Sequence, residues 1–313
     1  MTQASADDEL TEMLVAFAAG DLPAALVAAR RGAARTADPV ARAAETYLGG
    51  VIARGARPVY EQAEAFGAFI RGGGNQRLYR ATSEALRAIY RELPPGARVL
   101  DVGVGDGLAL VPAIEGVIAE LRAELTVLEP AEELLSRTTR ALDGLGVRYE
   151  AFPGTIEELI RTHGERRFEL IEATFSLHGL QPDGRRDVLA WMRGAAGRLV
   201  IAEFDVPRFG GALDPAHIAY VIDRYRRGLA EYADDGDLVA QGFLMPVMFG
   251  YFTTGRARVT YEQPMAAWIE DLRAAGFTEI GARVIDPYWW APAFVLDARG
   301  RGGGGDGGGD PRA

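Results

Sequence analysis

The chain of 313 residues is 48% hydrophobic and 25% charged, a composition that can bury a sizeable core and that excludes a largely disordered chain. Its formal net charge is −10 and no arginine-rich stripe offsets it, so the chain would repel a phosphate backbone and we expect no nucleic-acid partner. The absence of cysteine excludes disulfides, thiolate metal sites and a cysteine nucleophile. The first residues, MTQASADDELTEM, are acidic where a signal peptide is basic, and no apolar run approaches the roughly 18 residues of a membrane helix. We therefore expect a cytoplasmic protein without a membrane partner.

The first 93 residues show the spacing of amphipathic helices, with apolar residues three and four positions apart and no strand pattern. This spacing predicts four or five short helices, two of which begin at Asp21 and Asp38, each followed closely by a proline. Glycines 72–74 predict a flexible break before a further helix that begins near Asn75. We expect residues 1–93 to form a helical cap that serves either as a lid or as the interface of a homodimer.

From Pro94 onward short apolar runs alternate with helical segments, which is typical of an α/β fold with a parallel sheet and right-handed crossovers. The predicted strands are Arg98–Val102, Leu125–Leu128, Val147–Phe152, Phe168–Ala173 and Leu199–Phe204. The predicted helices between them lie near 108–123, 131–143, 155–163 and 183–194.

The pattern loosens after Pro207 and then closes with two strands. It predicts, in order, a helix over Pro215–Tyr232, an irregular aromatic segment to Tyr261, a helix over Pro264–Ala275, and strands over Glu279–Asp286 and Ala293–Ala298. The predicted catalytic domain therefore spans 94–299 with an insert at 208–262. The glycine-rich tail, 300–313, is predicted to be disordered because it offers no apolar side chains to bury.

The strongest motif is VLDVGVGDG, in which Asp101 closes the first strand and Gly103, Gly105 and Gly107 lead into a helix. Glycines allow a tight turn and close approach of a ligand, and the helix that follows offers unpaired N–H donors. Glu129 ends the next strand, about 20 residues further on, where a carboxylate can accept the hydroxyl groups of a ribose. An acid at position 101 would repel a pyrophosphate, and Leu108 stands where a dinucleotide fold has its third glycine. The loop instead suits a cofactor that carries an ammonium group.

This motif resembles the first motif of the class I S-adenosylmethionine-dependent methyltransferases, and Glu129 is similar to the ribose-binding acid of that family. FELIEATFSLHGL (168–180), GRLVIAEF (197–204) and the closing pair AAGFTEIGARVID and APAFVLDA extend the resemblance over about Pro94 to Arg299. The resemblance implies a Rossmann-like, seven-stranded α/β methyltransferase core with S-adenosylmethionine as cofactor.

The same resemblance implies which residues hold the cofactor. Gly103 to Gly107 would contact its methionine moiety together with Asp101, and Glu129, with Pro130 beside it, would contact the ribose. Thr155 and Ile156 would lie near the adenine, although the family usually has Asp there. Phe175 and Ser176 would face the sulfonium. The segment GGGNQRLY (72–79) also resembles bacterial small-molecule methyltransferases with a helical lid, including enzymes that methylate indole rings.

Few residues offer acid–base chemistry for the transfer. His178 follows the fourth strand, on a loop where open α/β sheets bind ligands, and is interpreted either as a base or orienting group for the acceptor or as a residue that caps and packs the loop. Asp205 ends the fifth strand and has the same two interpretations. No spacing of His and acidic residues indicates a metal site, so we expect metal-independent transfer.

Aromatic side chains in the irregular segments favour a flat, apolar acceptor bound by stacking. The alternative is that these rings only pack the insert onto the core. The candidate acceptor-binding residues are Tyr79, His178, His217, Phe249, Tyr251, Trp289 and Trp290.

The resulting hypothesis is a methyltransferase that acts on carbon or nitrogen of a small, indole-like natural product. Three alternatives remain: O-methylation of a small phenolic metabolite, a cofactor-binding protein without catalysis, and a nicotinamide-dependent oxidoreductase. The oxidoreductase is disfavoured because a chain without lysine has no Tyr-x-x-x-Lys pair.

Overall fold

The computed structural model describes residues 3–55, 63–117, 123–235, 237–253, 255 and 260–300. The tail that was predicted to be disordered lies outside the described residues, apart from Gly300. The chain forms two compact units, which we call the helical unit (Met1–Ala81, Asp205–Val259 and Asp286–Ala293) and the sheet unit (Thr82–Phe204, Thr260–Ile285 and Phe294–Ala313). Most of the insert predicted at 208–262 therefore belongs with the N-terminal helices and not with the sheet.

The helical unit begins with the predicted N-terminal helices. These are α1 (Gln3–Ala18), α2 (Leu22–Arg35), α3 (Pro39–Arg54), α4 (Ala63–Arg71) and α5 (Gly73–Tyr90), of which α5 continues into the sheet unit. Helices α2 and α3 start as predicted, because the carboxylates of Asp21 and Asp38 accept hydrogen bonds from backbone N–H groups in the first turn.

The glycines at 72–74 are not a flexible break, which corrects the sequence-based expectation. Helix α4 ends at Arg71 and helix α5 begins at Gly73, so a single residue in a bend, Gly72, separates them. A Cβ atom at Gly73 would lie 2.6 Å from Cζ of Tyr232, and Gly74 N donates to Glu231 Oε2 at 2.8 Å. The glycines therefore allow close packing of α5 against the segment that contains Glu231 and Tyr232.

The aromatic segment between 233 and 250 was predicted to be irregular but is mostly helical. After α10 (Pro215–Glu231) it contains α11 (Asp237–Val239), a π-helical turn (Ala240–Leu244) and α12 (Met245–Gly250). Leu244, Met245 and Met248 are fully buried there. Backbone that carries such side chains into a core must satisfy its own polar groups, and a helix does so locally.

The sheet unit contains the predicted parallel strands. These are β1 (Arg98–Val102), β2 (Glu124–Leu128), β3 (Tyr149–Phe152), β4 (Phe168–Thr174) and β5 (Ala196–Phe204), followed by β6 (Glu279–Asp286) and β7 (Ala293–Arg299). The strand order is β3-β2-β1-β4-β5-β7-β6, and all pairings among the first five strands are parallel. Thr278 N donates to Arg299 O at 3.0 Å, so β6 starts where β7 ends and the two run antiparallel. The predicted seven-stranded, Rossmann-like fold is confirmed.

The crossover helices cover the sheet and build its core. They are α6 (Leu110–Glu115), α7 (Glu132–Leu145), α8 (Ile156–His163), α9 (Pro182–Ala195) and, after the insert, α13 (Met265–Ala274). Helix α6 is shorter than the predicted 108–123, and residues 118–122 of that prediction lie outside the described part of the chain. One apolar cluster joins Leu100 and Ile171 of the strands to Met192 and Trp268 of the helices. Among the described helices, none is both long and apolar enough to cross a membrane.

Candidate active site

The glycine loop after β1 has the geometry that its sequence predicts. Gly103, Gly105 and Gly107 all have positive φ, at 74°, 59° and 80°. A Cβ at Gly103 would lie 2.5 Å from Cβ of Ser176, whereas nothing lies within 4 Å of a Cβ built on Gly105. The loop therefore closes tightly on one side and leaves open space above Gly105.

Glu129 is held beside this loop by backbone donors. Gly105 N donates to its Oε2 at 3.0 Å, and Ala131 N donates to its Oε1 at 2.9 Å. The residue is 8% exposed, while the neighbouring Pro130 is exposed. Each carboxylate oxygen can accept a second hydrogen bond, so the group is fixed in orientation and can still accept a pair of hydroxyls.

Asp101, at the end of β1, is 2% exposed. Within the described residues neither of its oxygens has a hydrogen-bond donor, except the carboxyl group of Glu172 when that group is protonated. Burial raises the pKa of Asp101, a hydrogen bond from Glu172 lowers it, and the charge of Glu129 raises it; the net result is a pKa of about 7. Buried polar atoms without donors in a native fold call for a partner, and a ligand ammonium group would supply one.

The two residues predicted near an adenine have structural tasks. Thr155 caps α8: its hydroxyl accepts from Glu158 N, and its own N–H donates to the Glu158 carboxylate. Ile156 is 4% exposed and lies in the apolar cluster of the sheet unit. Both side chains are therefore already engaged within the sheet unit. Their contact with an adenine stays a prediction.

The turn after β4 is strained and well anchored. Phe175 has φ of +55°, which is costly for a side chain other than glycine and is typical of functional loops. Its ring stacks on Phe204 with centroids 4.7 Å apart, and its N–H donates to Ala202 O at 2.8 Å. Ser176 Oγ donates to Val102 O at 2.6 Å and so ties the turn to β1.

His178 lies two residues after Ser176 and donates two hydrogen bonds to the carboxylate of Glu203 in β5. Its backbone N donates to Glu203 Oε1 at 3.0 Å, and its Nδ1 donates to Glu203 Oε2 at 2.8 Å. The Glu203 side chain is 1% exposed and the His178 side chain 19%. Burial lowers the pKa of His178, but the charge and hydrogen bond of Glu203 outweigh it and raise the pKa to about 9. The imidazole is therefore protonated at neutral pH and offers Nε2–H as a donor, since Nδ1 is already engaged.

Asp205, the other predicted catalytic residue, is the first residue of its stretch of the helical unit. It is partly buried, and its backbone N donates to Pro292 O at 2.8 Å. Its catalytic role stays a prediction.

Three of the aromatic candidates have different degrees of burial within the helical unit. Phe249 is 1% exposed and packs between Phe17 and Tyr47, with centroids 4.5 and 5.2 Å away, so it serves the core of this unit. Trp289 is also buried, with Gly228 against its ring. Tyr79 is partly buried on α5. We therefore leave Phe249 out of the acceptor contacts that we propose.

The remaining candidates, His217, Tyr251 and Trp290, lie together with Phe209 and Tyr220, which the sequence did not single out. We call these five rings the aromatic cluster; Trp290 is buried and the other four are partly exposed. Tyr251 stacks on Trp290 with ring centroids 5.1 Å apart, and the ring centroids of His217 and Phe209 are 4.9 Å apart. Trp290 is 7% exposed, and its Nε1 has no hydrogen-bond partner among the described residues. His217 Nδ1 donates to Ala212 O at 2.8 Å, which fixes the ring.

The sequence did not predict the hydrogen bonds between His178 and Glu203 or the hydrogen bond between Tyr90 and Glu172. Glu203 and Glu172 could be recognised as acids on strands, but their partners depend on which strands and helices become neighbours. No sequence signal distinguishes Tyr90 from other apolar positions of its helix. No group of three or more metal-ligating side chains occurs in the described part of the chain.

Comparison with known proteins finds similarity in structure only. No family model and no curated protein matches the sequence. The fold is similar to that of the CurJ carbon methyltransferase, with a TM-score of 0.52 and 17% identity, over 82% of this chain and 64% of that one. It also matches the plantazolicin methyltransferase BpumL in complex with S-adenosylhomocysteine, with a TM-score of 0.49 and 10% identity, over 77% of this chain and 91% of that one. The match to the [4+2]-cyclase SpnF has a TM-score of 0.48 and 16% identity, over 74% of this chain and 84% of that one.

The chain thus spans less than two thirds of the CurJ structure. At 17% identity the similarity to CurJ shows the fold alone.

Proposed function

We propose that this protein transfers a methyl group from S-adenosylmethionine to a small aromatic acceptor. The observation that carries the proposal is the buried carboxylate of Asp101 without a donor, next to a positive-φ glycine loop with open space above Gly105 and a fixed Glu129. A ligand with an ammonium group, a ribose diol and little bulk at the loop matches all three features.

When bound, the cofactor supplies an electrophilic methyl group on a sulfonium, so the residues of this chain need only bind, orient and exclude water. Asp101 would pair with the ammonium group, and Glu129 would accept the ribose hydroxyls with its remaining lone pairs. Phe175 and Ser176, on a turn fixed to β1 and stacked on Phe204, would form a rigid wall beside the reacting centre.

The aromatic cluster supports the choice of acceptor class. A buried indole N–H without a partner costs about 1–3 kcal/mol, which a ligand oxygen or nitrogen at Trp290 Nε1 would recover. Stacking on Tyr251 or Trp290 suits a flat ring. The supporting features do not separate carbon from nitrogen as the methylated atom, and an indole is one member of this class.

The protonated His178 favours O-methylation of a phenol as the second candidate. A ring with a pKa of about 9 cannot take a proton at pH 7, but its Nε2–H can stabilise the oxygen of a phenolate whose proton has gone to water. This candidate predicts that turnover of phenols falls as pH rises through about 9, and that His178→Ala abolishes it while turnover of indoles persists.

Calorimetry with S-adenosylmethionine, followed by mass analysis of products from indoles, indole-bearing cyclic dipeptides, phenols and amines, tests the proposal. Asp101→Asn and Glu129→Gln should each weaken cofactor binding at least about tenfold, because each removes a charged hydrogen bond. Glu124→Gln is the matched control, since Glu124 is exposed at the start of β2, the strand that Glu129 directly follows.

Two results would contradict the proposal. Cofactor binding that is absent, or equal in all three variants, would refute the assignment of the loop. Tight binding without any methylated product would favour the non-catalytic alternative.

A further inference from the structure

Three buried groups from separate elements meet inside the sheet unit. Asp101 of β1 and Glu172 of β4 are register partners in the parallel pairing of these strands, and Tyr90 ends α5. Their exposures are 2%, 0% and 2%. Two carboxyl groups placed side by side away from water cannot both carry a charge at low cost.

The hydrogen bonds in this group are incomplete without one extra proton. The Tyr90 hydroxyl donates to Glu172 Oε1 at 2.5 Å. Glu172 Oε2 and both oxygens of Asp101 have no donor among the described residues. A proton on Glu172 Oε2 would give one Asp101 oxygen a donor and leave the other to accept from a ligand.

We infer that Glu172 is a positioning residue for the cofactor: it stays protonated, donates a hydrogen bond to Asp101, and so keeps Asp101 ionised and oriented toward the ammonium group. This inference rests on the proposed function for the identity of the ligand. It assigns the buried acid of β4 to binding, although Glu172 itself need not touch the cofactor.

The electrostatics agree with this geometry. Burial raises the pKa of Glu172 well above its usual range, and the charge of Asp101 raises it further. The titratable groups that act on the pair are Tyr90 on Glu172 and Glu129 on Asp101. Because the pKa of Asp101 is raised only to about 7, the pair should carry one proton at pH 8 and take up a second below pH 7.

The consequence is a cofactor affinity that depends on pH. Below pH 7 Asp101 becomes neutral and loses its attraction for an ammonium group, so the Kd should rise up to about tenfold per pH unit. Glu172→Leu removes the hydrogen bond that lowers the pKa of Asp101, so the midpoint of the change in Kd should move to higher pH. Glu172→Gln keeps a donor for Asp101 and an acceptor for Tyr90, so it should bind like the wild type at pH 8.

The experiment is a calorimetric titration of S-adenosylhomocysteine between pH 5.5 and pH 8 with the wild type, Glu172→Gln and Glu172→Leu. We expect Glu172→Leu to bind at least about fivefold more weakly at pH 7, and Glu172→Gln to stay within about twofold of the wild type at pH 8. Methylthioadenosine, which lacks the ammonium group, is the control ligand and should show no pH step. Equal midpoints in the wild type and Glu172→Leu would overturn the inference.

Infrared spectroscopy of the unliganded protein provides a second readout, which does not depend on cofactor binding. The wild type at pH 8 should show the C=O band of a buried, protonated carboxyl group, and Glu172→Gln should lose it. A wild type without that band would overturn the shared proton. A band that behaves as expected in a protein that binds no S-adenosylhomocysteine would refute the proposed function and leave the shared proton established. Urea unfolding of each variant verifies that it is folded.

Discussion

At the residue scale, Gly103 is required by two independent features of the loop. Its φ of +74° lies in the left-handed region, and a Cβ there would lie 2.5 Å from Cβ of Ser176. Ser176 cannot move aside easily, because its hydroxyl is bonded to Val102 O at 2.6 Å. Gly96, in the same unit, has φ of +81° but nothing within 4 Å of a Cβ. The two glycines therefore separate backbone strain from steric exclusion.

We predict that Gly103→Ala lowers the free energy of unfolding by about 3 kcal/mol or more, whereas Gly96→Ala costs only the strain of about 1–2 kcal/mol. Urea unfolding followed by circular dichroism measures both. Equal losses in the two variants would mean that Ser176 gives way, and that the loop is less closely packed than its geometry indicates.

A second observation at this scale is that strain and anchoring coincide at one turn. Phe175 is the only residue other than glycine with positive φ among the described residues, and it directly precedes Ser176, which is bonded to β1. His178, two residues on, is fixed by both oxygens of Glu203. A turn held this way can keep a strained backbone and present its side chains in one orientation.

At the scale of elements, the starts of α2 and α3 test how far a cap alone stabilises the helical unit. Asp21 accepts from Ala24 N on an exposed surface. Asp38 is 9% exposed and accepts hydrogen bonds from Val40 N and Ala41 N. It also accepts a hydrogen bond from Arg226 Nε at 2.6 Å. The same residue type thus makes a simple cap in one helix and a cap with a buried ion pair in the next.

Asp21→Ala should therefore cost about 0.5–1 kcal/mol, and Asp38→Ala about 2 kcal/mol or more, because the second change also leaves Arg226 with one partner fewer in a partly buried place. The free energies of unfolding from urea titrations provide the measurement. A double variant Asp38→Ala, Arg226→Met should recover part of the loss. If Asp38→Ala cost no more than Asp21→Ala, the ion pair would contribute nothing measurable.

The elements also show why part of this fold could be predicted from sequence. Strands β1, β2, β4 and β5 are short apolar runs between turn residues, and the glycine loop and Glu129 follow their strands directly, so local signals located them. The segment 233–250 was misjudged because Pro246 and several glycines mask its helical spacing, and its regularity comes from burial of Leu244 and Met248. The pairs Tyr90–Glu172 and His178–Glu203 join residues distant in sequence, so they depend on the strand order and on where α5 ends.

At the scale of the whole molecule, the chain builds each unit from separated stretches, and the N-terminal helices share one unit with 205–259. Arg226 of α10 bonds Asp38 and Asp7, and Phe249 packs between Phe17 and Tyr47. Apolar side chains also remain exposed on these helices, including Val15, Val27 and Ile52. A homodimer through these helices, exclusion of nucleic acid and a cytoplasmic location all stay predictions.

Removing α1 to α3, in a chain that begins at Ala63, should therefore disrupt the helical unit while all seven strands remain, because the first strand starts at Arg98. Loss of the partners of Arg226 and Phe249 leaves a charge unpaired and an aromatic face uncovered, so we expect a weaker near-ultraviolet aromatic signal, strong binding of a hydrophobic dye, and a retained β-sheet band in the infrared. Arg226→Met in the full chain is the control: it removes only the ion pairs and should lower the Tm without dye binding. A shortened chain that binds no dye and keeps its aromatic signal would show that α10 to α12 form their core without the N-terminal helices.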